Sequence, residues 1–259
     1  MVFLQDKFFP NMQEIHYISS EIIDLQTIKN IRDTGKKLEL SEEAEISIKK
    51  SRAYLLSKLT NNETPIYGIN TGFGALCDVK ISPEKLSQLQ ENLVLSHACG
   101  TGEKVAKPII RLMLLLKIQS LSYGYSGVQL DTVHRLVDYY NNDILPVIYS
   151  QGTLGASGDL APLAHLALPL LGQGSVYFED SIVASEIINK KFDWKPIELK
   201  AKEGLALLNG TQFMSAYGVH CLLESYKLSY LADLIGAISA DAFNCSLSPY
   251  NALVHLVRP

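Results

Sequence analysis

The stretch NGTQFMSAYGVHCLLESYKLSYLADLIGAISADAF, residues 209–243, decides how this chain folds. It contains no proline, and its apolar residues occupy every face of a helix rather than one stripe. A helix that is apolar all round belongs inside a bundle. At the α-helical rise it would run for roughly 50 Å. Nothing else in the sequence supplies partners of that length. The segment therefore predicts the first long helix of a central bundle, completed by further chain beyond Pro259 or by other copies.

Upstream, helical periodicity dominates. Residues 41–59 begin acidic and carry apolar residues at helical intervals. Ser82-Pro83-Glu84 reads as a helix start: a capping hydroxyl, a proline at the first position, an acid in the first turn. From there Leu86, Leu89, Leu93, Val94 and His97 recur at three- and four-residue steps, with Gly100 as the C-terminal stop. Further helices are predicted from Pro108 towards Tyr123 and from Gln129 to Tyr140. Two stretches read as non-helical. Residues 64–76 are short and glycine-punctuated, and residues 175–199 suggest a small hairpin about Glu179-Asp180-Ser181 with a short helix. The expected fold class is mainly α. Residues 1–205 form a helical N-terminal domain with small irregular and β elements, and residues 206–259 begin the central bundle.

The composition narrows the function. Of 259 residues 47% are hydrophobic and 19% charged, enough for a substantial core. The net charge of −4 offers no basic stripe to nucleic acid or an anionic membrane. Cys77, Cys99, Cys221 and Cys245 are widely spaced, so neither a metal site nor a disulfide framework is expected. Cys99 reads as a buried small hydrophobe. The opening MVFLQDKFFP meets Asp6 and Lys7 before any long apolar run and does not read as a signal peptide. The most apolar later run, Leu160 to Leu171, contains two prolines and falls short of the roughly 20 residues a bilayer requires. A soluble, cytoplasmic protein is expected.

The chemistry concentrates in residues 152–162, GTLGASGDLAP. One reading is a glycine-rich turn before a helix, with Asp159 at the helix start and Pro162 in its first turn. A G-x-S-x-G nucleophile elbow is excluded, because Asp159 stands where the last glycine belongs. Ala156-Ser157-Gly158 allows something less ordinary. In a tight turn the Gly158 nitrogen can attack the Ala156 carbonyl carbon and close a five-membered ring. Small side chains permit that approach. Loss of one water completes the ring, and loss of the Ser157 hydroxyl as a second leaves an exocyclic methylene. The product, a 4-methylidene-imidazol-5-one (MIO), is an electrophile. A helix N-terminus beside it would stabilise developing negative charge.

Residues Gly155 to His165, Gly-Ala-Ser-Gly-Asp-Leu-Ala-Pro-Leu-Ala-His, resemble the signature of the histidine and aromatic amino acid ammonia-lyase family. Three more segments match in order: Tyr67 to Gly74 (YGINTGFG), Asn92 to His97 (NLVLSH) and Lys202 to Gln212 (KEGLALLNGTQ). The similarity extends from about residue 30 to the end. It implies MIO formed autocatalytically from Ala156, Ser157 and Gly158, with no metal. It implies Tyr67 as the base that removes the substrate β-proton; a free phenol has a pKa near 10, so this role needs a depressing environment. Asn209 matches the asparagine that hydrogen-bonds the ring and helps form it, and by residue type it also suits a helix N-cap. Asn70, Ser96, His97 and Gln212 match substrate-binding positions.

His97 bears on the substrate. It falls in the last turn of its predicted helix, where a cation also suits the helix dipole. The Ser-His pair at 96–97 resembles histidine-specific members, whereas His-Leu marks those acting on tyrosine and Phe-Leu those acting on phenylalanine. The implied reaction is non-oxidative deamination of L-histidine to trans-urocanate and ammonia. A tyrosine or phenylalanine ammonia-lyase, an aminomutase, or an inactive structural fragment are the alternatives. Family members are about twice this length and assemble as homotetramers. Their carboxylate-binding arginine would lie beyond Pro259. His165 and His220 read as satisfied core histidines.

Overall fold

The computed structural model describes residues 14–61, 65–74, 77–153 and 156–257. The readings of the N-terminal decapeptide, of Thr64 and Leu76, of Leu154-Gly155 and of Arg258-Pro259 lie outside the described residues. The chain falls into two units, one ending at Tyr217 and one beginning at Gly218.

The first unit opens with strand β1 (Ile15–Ile18), helix α1 (Leu25–Thr34) and strand β2 (Lys37–Leu40), with β1 and β2 paired in parallel. Helix α1 has clear local causes. The Asp24 carboxylate accepts the Thr27 N–H at 2.7 Å, and Gly35 ends the helix in the left-handed conformation. Helix α2 (Glu42–Asn61) matches the predicted 41–59 segment. Helices α3 (Leu86–His97), α4 (Lys107–Ser122) and α5 (Leu130–Asn141) also fall where periodicity placed them. Strand β3 (Thr101–Lys104) runs antiparallel to β5 (Tyr149–Gln151). Strand β4 (Leu145–Pro146) joins the predicted hairpin, β6 (Ser175–Phe178) and β7 (Ser181–Ala184), in a three-stranded sheet. Glu179 takes a positive φ of 52° in the hairpin turn. Helices α6 (Leu160–Ala167), α7 (Ser185–Phe192) and α8 (Glu203–Leu208) complete this unit with the start of α9 (Gln212–Ala242).

Helix α4 is the centre of the core. Ile109, Ile110, Leu112, Met113, Leu114, Leu115, Ile118 and Leu121 are all buried on it. Each such side chain contributes about 1.5–3 kcal/mol on burial. Side-chain amides here are tied to backbone: the buried Gln119 amide donates to Ser19 O and Glu21 O, and half-buried Asn141 exchanges two 2.8 Å bonds with Leu38. Glu203, fully buried at the start of α8, accepts from Gln129 N, Gln129 Nε2, Thr132 Oγ1 and Lys200 N. That carboxylate binds the start of α5 to the start of α8.

Four sequence readings need correction. Gly100 does not cap α3, which ends at His97; a Cβ on Gly100 would lie 3.0 Å from the His165 ring, so the glycine serves close packing instead. Ser82 makes no side-chain capping bond, and a 3-10 turn (Pro83–Lys85) precedes α3. Cys99 is exposed, since it lies past the end of α3. Strands β1 to β5 fall outside the two stretches read as non-helical, because segments of two to four residues are too short to show a period.

In the second unit, α9 continues to Ala242, and a 3-10 turn (Ser248–Tyr250) leads to helix α10 (Ala252–His255). Tyr226, Leu228, Tyr230, Ile235, Ile238 and Phe243 are exposed along it. His220 is not the satisfied histidine expected, for its buried Nδ1 has no hydrogen-bond partner among the described residues. Among the described residues no helix is long and apolar enough to cross a membrane.

Candidate functional site

Ala156, Ser157 and Gly158 form the bend that leads into α6. Gly158 adopts φ +120°, a region that side chains rarely enter. A Cβ there would lie 2.6 Å from Gly210 N and 2.7 Å from Gly210 O. The turn is thus pressed against the loop between α8 and α9, and only glycine fits. Asp159 N donates to Gly210 O at 2.8 Å across the same gap.

Asn209 lies at the C-terminal end of α8 and its Nδ2 donates to Ser157 O at 2.8 Å. It therefore does not act as the N-cap read from its residue type. The N–H of Met214, in the first turn of α9, goes instead to the carboxylate of buried Asp159 at 3.0 Å. Asp159 in turn does not cap α6, its own helix. Its reach across 55 residues is a tether that local reading of the motif missed. Gln212 is buried beside Gly210, and its Oε1 has no hydrogen-bond partner among the described residues.

Helix α3 delivers Ser96 and His97. The His97 Nδ1 lies 2.8 Å from Leu93 O and 3.1 Å from Ser96 Oγ, and the Ser96 hydroxyl donates to Leu93 O at 3.0 Å. A carbonyl only accepts, so the neutral ring carries its proton on Nδ1 and keeps Nε2 as an acceptor. The segment after α3 is pinned to α6, because Gly100 N donates to His165 Nε2 at 3.0 Å and the His165 ring meets Tyr149 edge-on. Burial lowers the His165 pKa, consistent with the satisfied core histidine expected. Helices α3 and α8 meet where Gly204 N donates to Gln90 Oε1 at 2.9 Å; a Cβ on Gly204 would lie 2.9 Å from Gln90 O. Buried Gln90 fell outside the apolar stripe read from sequence.

Tyr67 and Asn70 belong to a separate loop. Tyr67 is 54% exposed and packs edge-on against Phe73. Gly68 and Gly74 both have positive φ, and a Cβ on Gly68 would lie 2.5 Å from the Leu205 side chain of α8. Asn70 is buried; its Oδ1 accepts the Ile66 N–H at 2.6 Å, so the side chain shapes its own loop. Among the described residues no group of three His, Cys, Asp or Glu side chains is placed to hold a metal.

A family model described as aromatic amino acid lyase matches residues 23–259. The chain belongs to that family. Among curated aromatic amino acid lyases it is 41% identical over 242 residues to histidine ammonia-lyase of Staphylococcus aureus (strain MSSA476) and 44% identical over 241 residues to that of Staphylococcus saprophyticus. Each alignment covers 93% of this chain and 48% of the relative. The lyase fold is shared with the crystal structure of histidine ammonia-lyase from Trypanosoma cruzi: TM-score 0.86, 35% identity, 95% of this chain and 48% of that one. Tyrosine aminomutase from Streptomyces globisporus superposes with TM-score 0.86 at 30% identity, over 94% of this chain and 46% of that one. The chain spans about half the length of the curated relatives it matches.

Proposed function

We propose that this chain carries the electrophile-forming part of a histidine ammonia-lyase, a carbon–nitrogen lyase that converts L-histidine to trans-urocanate and ammonia. The observation that carries the reading is the Asn209 amide held on the Ser157 carbonyl beside the contact of Gly158 with Gly210. The turn fits the MIO group. Closing the ring forms a bond from Gly158 N to Ala156 C and expels the Ala156 oxygen with the Gly158 and Ser157 amide hydrogens as one water. The Ser157 hydroxyl leaves with its Cα hydrogen as the second. Ser157 O is the carbonyl oxygen retained in the ring, and it is the atom to which Asn209 donates.

When formed, MIO supplies an electrophile that activates the substrate for loss of ammonia. The chain's own residues do the rest. Asn209 stabilises negative charge developing on Ser157 O, as a preorganised donor does in an oxyanion site. Tyr67 removes the β-proton of the substrate, from a glycine-bearing loop suited to covering a site. His97 offers Nε2 to the N–H of a substrate imidazole, a donor that a phenyl ring lacks. Leaving that acceptor unpaired is how a polar site rejects an apolar analogue. Asn70 supports this loop, and Gln212 lines the same corner beside Gly210.

The partner we propose for the exposed apolar residues of the second unit is further copies of the chain, as in a homotetramer. So much exposed apolar surface exceeds what monomers ordinarily tolerate. Sedimentation velocity on these 259 residues is expected to show self-association, and a stable monomer would contradict it. The function itself is tested by urocanate absorbance in the assembled enzyme. Ser157→Ala is expected to abolish turnover, and a fully active Ser157→Ala enzyme would refute the assignment. Turnover of tyrosine or phenylalanine in place of histidine would move the substrate within the family.

A further inference from the structure

Lys117 is the one lysine of α4 that faces inward, 1% exposed among the aliphatic side chains of the core. Burying an ammonium without a counter-ion is costly. Among the described residues no carboxylate pairs with it. Its hydrogen bond is from Nζ to Ala206 O, at 2.8 Å, in the last turn of α8. Burial alone pushes its pKa down to about 7. A methionine would fill similar space without that penalty.

The acceptor gives the lysine a role. Carbonyls at a helix C-terminus lack intrahelical partners and attract cations. Ala206 O is such a carbonyl, three residues before Asn209. The other end of α8 is held by Glu203 and by the close contact of Gly204 with Gln90. Lys117 fixes the end that carries the functional amide. We propose that Lys117 is a positioning residue for cyclisation of Ala156-Ser157-Gly158, holding the last turn of α8 so that Asn209 stays on the Ser157 carbonyl. The inference rests on the ring-forming reading of that turn.

Intact mass tests it, as the fraction of folded chains that have lost two waters at a fixed time after synthesis, with a thermal melt run beside it. Lys117→Met should fold yet cyclise about tenfold to a hundredfold more slowly, the scale on which small misplacements of reacting groups act. Lys117→Gln, which keeps an N–H donor, should recover most of the wild-type yield. A folded Lys117→Met or Lys117→Leu chain that cyclises at the wild-type rate overturns the proposal. So does equal impairment of the Gln and Met variants, or failure of both Met and Leu variants to fold, which would assign Lys117 to the fold alone. A wild-type chain that keeps both waters would instead refute the reading of Ala156-Ser157-Gly158, and the role of Lys117 with it.

Discussion

Asn209 and Ser157, 52 residues apart in sequence, are joined by a 2.8 Å bond from a side-chain amide to a backbone carbonyl. Because the Gly158 backbone meets Gly210 immediately beside that bond, there is no room for a side chain on the turn. Gly158→Ala should cost about 1–3 kcal/mol through its positive φ alone, and more from the contact with Gly210. We expect a lowered melting temperature and no ring formation. A variant that melts and cyclises like wild type would show that the close approach is dispensable.

Tyr67→Phe removes one hydroxyl from an exposed side chain while leaving the Phe73 contact possible. Stability and ring formation should not change. Turnover should fall by about 10²–10⁴-fold, the usual contribution of a general base. Near-normal turnover would remove Tyr67 from that role.

His97→Leu should discriminate between substrates rather than lower every rate. The variant loses the Nε2 acceptor that the Leu93 O contact leaves available. The kcat/KM for histidine should drop by roughly 10²-fold or more, while the discrimination against phenylalanine narrows. Equal losses on both substrates would mean that His97 holds the fold of α3 and does not read the ring.

The acid limb of stability should report His165. Its Nε2 accepts from Gly100, so protonation breaks that bond, and burial holds its pKa below the ordinary value of 6.5. The unfolded chain therefore takes up the proton first as pH falls. The stabilisation is complete above pH 6.5 and is lost as pH drops through the lower folded-state pKa. His165→Gln, which keeps an acceptor without titrating, should flatten the fall in melting temperature over that range. An unchanged slope would place the acid sensitivity elsewhere.

Some of this was legible in the sequence for physical reasons. Helices α2, α4 and α5 repeat their pattern over three or more turns, long enough for periodicity to show, and α9 was legible as a long proline-free run that is apolar all round. The Ala156-Ser157-Gly158 turn was legible because small residues among glycines mark a tight bend, and the structure has a bend there. What stayed hidden is long-range. The bond from Gly204 to Gln90 spans 114 residues and that from Lys117 to Ala206 spans 89. Neither leaves a local trace, and a buried lysine in an apolar helix reads as solvent-facing by residue type. Asn209 shows the same limit. Its type alone suggested an N-cap, and only the resemblance pointed to the 156–158 turn; in the structure it ends α8 with its amide on Ser157 O.

The central claim is that residues 156–158 become an electrophile under the hold of Asn209. Intact mass spectrometry of the chain and of its Asn209→Ala variant tests this most directly. The wild-type chain should weigh less than its translated sequence by two water molecules, and the variant should retain both waters in most chains while folding normally. A wild-type chain that carries the full translated mass in an enzymatically active preparation would contradict the account.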